Sequence, residues 1–166
     1  MSELTIVVMA AGNGVRMHSD MPKVLMPVAG LPMLEHVIRA CKPLTPSSIY
    51  VLTPPGPMLE KVRGAIGEGV TFIEQEHPLG TGHALSVALA GIQDAPRHIL
   101  VLNGDIPLIQ TQTLTRLLER RASSGATLSF LTAEMDLATG NDLGRVQRGT
   151  SGVVEAIVES GLAKST

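Results

Sequence analysis

The chain has 166 residues and 44% hydrophobic content, enough for one domain with a sizeable buried core. A net charge of −2 offers no basic surface to a nucleic-acid backbone, and with no Trp, one Tyr and two Phe there are few platforms for base stacking. No charged n-region precedes a signal-like apolar stretch and no apolar run is long enough to span a bilayer, so a cytoplasmic protein without nucleic-acid or membrane partners is expected.

In chain order, Leu4-Thr5-Ile6-Val7-Val8 is a β-branched apolar run of the kind that forms a strand buried on both faces. It leads into Met9-Ala10-Ala11-Gly12-Asn13-Gly14-Val15-Arg16-Met17, followed by Pro22-Lys23. Gly12 and Gly14 allow a sharp turn that brings backbone N–H groups against an anion, and Arg16 and Lys23 add positive charge. This reads as a phosphate cradle, with a plain turn carrying solvated cations as the alternative. Neither the Rossmann fingerprint nor the P-loop is present, since Met17 stands where a third glycine belongs and no Gly-Lys-Ser/Thr closes the loop.

Val24–Val28 reads as a short irregular extended segment, and Gly30-Leu31-Pro32 as a turn that starts a helix over Met33–Lys42. Cys41 cannot form an internal disulfide; it falls on the apolar face of that helix with Met33, Leu34, Val37 and Ile38 and is expected in the core. A strand over Ile49–Thr53, a helix over Met58–Ile66 and a strand over Val70–Glu74 follow. Strand and helix alternate, which predicts parallel pairing in a layered α/β sheet with helices on both faces. Gln75 lies where the third strand ends, and a solvated strand terminus is its plain reading.

A helix over His83–Gly91 follows, with His83 ordering its start rather than acting as an acid or base. His98–Leu102 is the fourth strand and runs into Asn103-Gly104-Asp105. A carboxylate just past a buried strand, behind a glycine, suits a hard oxygen ligand for magnesium, although Gly-Asp is also ordinary turn punctuation. Thr111 can cap the next helix, whose inner face is Leu114, Leu117 and Leu118. The alternation in Ala126–Thr132 predicts another strand, and Val153–Glu159 a final one. No repeat or low-complexity linker interrupts the chain, so residues 1–166 are read as a single unit.

The motif Ala10-Ala11-Gly12-x-Gly14-x-Arg16-Met17 with Pro22-Lys23 resembles the signature loop of the sugar-nucleotide pyrophosphorylases. Gln75-x-x-x-Leu79-Gly80-Thr81-Gly82-His83-Ala84 is similar to the uridine-recognition segment of the bacterial N-acetylglucosamine-1-phosphate uridylyltransferases among them. Asn103-Gly104-Asp105-Ile106-Pro107-Leu108 and Gly144-Arg145-Val146 follow in the family's order, and the similarity runs from residue 4 to about 159. The resemblance implies a nucleotide-diphospho-sugar transferase type of fold, Rossmann-like with a mixed, mostly parallel sheet. The implied activity is nucleotidyl transfer that forms UDP-N-acetylglucosamine and pyrophosphate from UTP and N-acetylglucosamine 1-phosphate with Mg2+, a step of cell wall biogenesis.

By the same resemblance Ala10, Ala11, Gly12 and Gly14 with Arg16 hold the triphosphate, and Lys23 neutralises the α-phosphate region. Gln75, Gly80 and Thr81 select uracil, Asp105 holds magnesium, and Gly144 and Glu159 hold the sugar. Against the family pattern the chain lacks the second half of the nucleotidyltransferase domain and the β-helix acetyltransferase domain. Val15 replaces a frequent threonine and Asn103 a frequent tyrosine. Alternatives are a nucleotide-binding module without turnover, a fragment whose open sheet edge is covered by homo-oligomerisation, and a related transferase that uses CTP or GTP.

Overall fold

A computed structural model describes residues 3–12, 21–77, 79–93, 96–134 and 144–158. Gly14, Arg16 and Glu159 lie outside the described residues. By its internal contacts the chain divides into two compact units, one up to Glu119 and one from Arg120.

The first unit is built on four parallel strands: β1 (Leu4–Met9), β4 (Ser48–Thr53), β5 (Thr71–Glu74) and β6 (His98–Asn103). Their order is β5-β4-β1-β6, with β1 pairing β4 on one side and β6 on the other. The helices are α1 (Met33–Cys41), α2 (Pro57–Ala65), α3 (Thr81–Gly91) and the start of α4 (Thr111–Ser124).

Alternate residues of each strand face opposite sides, and two cores result. Ile6, Val8, Ile49, Val51, Leu100 and Leu102 pack with Leu34, Val37, Ile38 and Cys41 of α1, Val62 of α2 and Leu114 of α4. Val7 and Leu52 pack on the other side with Ala84 and Ala88 of α3. The chain steps from β1 outward to β4 and β5, then returns across the sheet to β6. Right-handed crossovers require the returning helix to change faces, which explains why α3 stands apart from α1 and α2. The layered, mostly parallel α/β fold expected from the sequence is the observed one.

Strand positions follow the apolar runs closely, while other expectations are corrected. Residues 24–28 are not simply extended. The Leu25 N–H donates to Pro22 O (2.9 Å) and the Met26 N–H to Lys23 O (3.0 Å), closing a 3-10 turn over Lys23–Leu25 that buries Val24. Pro27–Val28 (β2) then pairs antiparallel with Leu31–Pro32 (β3) across Ala29 and Gly30, whose positive φ values suit a two-residue hairpin turn. Helix α3 begins at Thr81, before His83. Thr111 is not a cap: the first amides of α4 turn to Gln110 O, and the Thr111 hydroxyl donates to Ala40 O of α1 (2.8 Å).

In the second unit, β7 (Arg145–Arg148) and β8 (Val154–Val158) form an antiparallel hairpin. Ala126–Thr132 is not a strand. Alternation specifies a strand only where a neighbour takes its backbone groups and a core takes one face. Among the described residues no strand pairs with this segment, and Leu128 and Leu131 are 77% and 47% exposed.

Candidate active site at the carboxyl edge of the sheet

All four parallel strands end on one edge of the sheet, and the strand order reverses between β1 and β6. Open α/β sheets bind ligands in the crevice beyond such a reversal. On the β1 side lie Ala10, Ala11 and Gly12, and on the β6 side Gly104 and Asp105. The two loops are tied together, since the Gly104 N–H donates to Met9 O at 2.9 Å. A Cβ on Gly104 would meet that oxygen and Leu34 Cδ1 at 3.2 Å each and Val24 Cγ1 at 3.3 Å, so only glycine fits here without displacement.

Lys23 reaches this crevice from the 3-10 turn, and its Nζ lies 2.7 Å from Asp105 Oδ2, a contact between residues 82 apart in sequence. The side chains are 41% and 33% exposed, so a ligand can reach both and the pair adds little stability of its own. Ala10 and Ala11 are buried. Ala10 N–H is already donated to Leu52 O (2.9 Å), which makes Ala10 a spacer rather than a donor to a ligand. Gly12 is exposed, has no left-handed backbone angle, and has open space where a Cβ would stand. The turn expected of it is therefore one any residue could make, and its missing side chain leaves bare backbone beside the crevice.

At the other end of the edge, Gln75 is not a solvated terminus. It is 3% exposed, its N–H donates to Thr53 O (2.9 Å), and its amide Nε2 donates to His77 O (3.2 Å). The same Nε2 lies 3.0 Å from Nδ1 of His83, in the first turn of α3. This contact brings Gln75 to the segment Gly80-Thr81. Gly80 precedes α3 with φ +102°, a conformation that favours glycine, and no side chain caps the helix. Thr81 and Gly82 are exposed. His83 thus orders the loop, as its position suggested, through a partner the sequence did not reveal.

Thr53, between the two ends, is fully buried, and its hydroxyl has no hydrogen-bond partner among the described residues, an arrangement that costs stability. From β5 to β6 is three strand spacings, about 14 Å, the scale of an extended nucleotide. The structure thus gathers Lys23 with Asp105 beside Ala10–Gly12, and Gln75 with Gly80 and Thr81. Gly144, exposed at the start of the hairpin, belongs to the second unit.

Among the described residues no group of three acidic, His or Cys side chains could cage a metal. One carboxylate in an open crevice fits a different arrangement, in which a hard cation keeps most of its ligands from water and substrate phosphates.

Residues 6–137 match the family model described as the MobA-like NTP transferase domain. The chain belongs to this family. Bifunctional protein GlmU of Cupriavidus pinatubonensis is 46% identical over 157 residues, which is 94% of this MobA-like chain and 33% of that protein. The chain therefore spans about a third of the length of the curated relatives it matches. Rv0371c of Mycobacterium tuberculosis is similar in structure, at 25% identity and a TM-score of 0.60 over 71% of this chain and 59% of its own. The CMP:2-keto-3-deoxy-manno-octonic acid synthetase solved with CTP shares the fold, at 21% identity and a TM-score of 0.67 over 98% of this chain and 66% of that one. As a MobA-like NTP transferase domain, the chain is of nucleotidyltransferase type. Among the described residues no helix is long and apolar enough to cross a membrane.

Proposed function

We propose that the chain binds UTP along the carboxyl edge of the sheet and transfers its uridylyl group to N-acetylglucosamine 1-phosphate, giving UDP-N-acetylglucosamine and pyrophosphate. The observation that carries this reading is the single line formed by buried Gln75, the bare backbone at Gly12 and the half-buried Lys23–Asp105 pair. Identity to the GlmU proteins supports the choice of substrates.

In this reading Gln75, Gly80 and Thr81 take the base, and Gly12 backbone, with Gly14 and Arg16 of the same motif, takes the triphosphate. Lys23 leaves Asp105 for the α-phosphate and offsets the charge that builds there. The phosphate oxygen of the sugar forms a bond to the α-phosphorus while the bond to pyrophosphate breaks. That oxygen is already ionised near neutral pH, so the chain supplies no general base. Asp105, released by Lys23, would hold the magnesium that arrives with the nucleotide. The metal neutralises phosphate charge when bound. Gly144 and Glu159 are the residues proposed to hold the sugar.

Magnesium-dependent pyrophosphate release from UTP and N-acetylglucosamine 1-phosphate, measured beside Asp105→Asn, tests the reading. The expected result is release that falls at least about a hundredfold in the variant, as for loss of a charge-stabilising group. A second reading, nucleotide binding without turnover, is favoured by one fact: Lys23 already pairs Asp105. It predicts saturable UTP binding with no release from the wild-type chain.

A further inference from the structure

The side chain of Gln75 makes two hydrogen-bonding contacts among the described residues, and both involve its nitrogen. Chemistry fixes this orientation. His77 O is a backbone carbonyl and can only accept, so the amide atom that faces it at 3.2 Å must be the NH2 group. The second amide hydrogen is then available to His83 Nδ1 at 3.0 Å, and that ring nitrogen must carry a lone pair. The His83 proton accordingly sits on Nε2. Both amide hydrogens are engaged within the protein and the main chain is anchored on Thr53 O, while neither side-chain contact among the described residues uses Oε1.

We propose that His83 is a positioning residue that makes Gln75 an acceptor-only reader of the base. The inference rests on the proposed placement of the base at Gln75 and goes beyond it by naming what Gln75 can recognise. An amide free to rotate can offer either end, and would accept uracil through its N3–H or cytosine through its bare N3. An amide with its nitrogen held by His77 O and His83 Nδ1 presents only a carbonyl oxygen. It pairs with the N3–H of uracil and faces the N3 lone pair of cytosine with a second lone pair. The discrimination thus comes from the His77 carbonyl, which orients the amide, together with His83, which takes up its second hydrogen.

Two measurements test this. In the ligand-free protein, long-range 1H–15N spectra of the imidazoles report which nitrogen of His83 is protonated. The Nε2–H tautomer is expected, and the Nδ1–H tautomer overturns the proposal whatever the protein binds. Titration calorimetry with UTP, CTP and inorganic tripolyphosphate is then run on the wild type, His83→Leu and His83→Asn. His83→Leu removes the acceptor and is expected to lower the preference for UTP over CTP by about tenfold, the worth of one hydrogen bond in a partly buried site, with tripolyphosphate affinity unchanged. His83→Asn, whose side-chain oxygen can accept, is expected to keep most of the preference. An unchanged UTP preference in His83→Leu overturns the role of His83 alone. A wild type without any UTP preference overturns the placement of the base at Gln75, and this inference with it.

Discussion

Gly12 and Gly104 flank the point where the strand order reverses, and the space around them differs. Among the described residues nothing lies within 4 Å of a Cβ on Gly12, whereas one on Gly104 meets Met9 O and Leu34 Cδ1 at 3.2 Å. Gly12→Ala is therefore expected to leave stability within about 0.5 kcal/mol of the wild type while lowering nucleotide affinity. Gly104→Ala is expected to cost about 1–3 kcal/mol, because a backbone oxygen cannot give way as a side chain can. Urea midpoints and UTP titrations on both variants separate the ligand-facing glycine from the structural one. Cys41 adds a pH effect at this scale. Burial pushes its thiol from 9.0 up to about 12, so the folded chain keeps a proton that the unfolded chain loses first. Its contribution is fully present below about pH 9 and is lost as pH rises toward 12, since the unfolded state then binds fewer protons. Urea midpoints should fall more steeply above about pH 9 in the wild type than in Cys41→Ala.

At the scale of elements, the contact between α1 and α4 contains a hydrogen bond that the sequence disguised. Thr111 has the residue type and position of a helix cap, yet its hydroxyl goes to Ala40 O. Thr111→Val keeps the shape and leaves that carbonyl without its donor, and a loss of about 1 kcal/mol in urea unfolding is expected. A variant as stable as the wild type would mean that water satisfies Ala40 O equally well. The same contrast runs through the molecule. β1, β4, β6 and α1 were legible because their apolar residues recur with the period of the element and the core accepts that face. Ala126–Thr132 had the strand period without a partner strand among the described residues, and β2 with β3 had partners but too few residues to show a period.

For the whole molecule, the motif residues were legible as a set because chemistry requires them at strand ends, and the topology brings those ends to one edge. Their mutual contacts were not legible. The pairing of Lys23 with Asp105 depends on a 3-10 turn and a sheet register, and the side chain of Gln75 meets a histidine beyond an intervening loop. Period and spacing carry no information about such meetings; the fold decides them. In the proposed function one nucleotide lies along this edge from β5 to β6. Amide hydrogen exchange with and without UTP and magnesium reads this placement residue by residue. Slowed exchange is expected at residues 10–12, 75, 80–83 and 103–105, with no change at Glu3 and Arg97 on the opposite edge. Protection confined to other segments, or none at saturating UTP, would mean that the nucleotide does not lie on this edge.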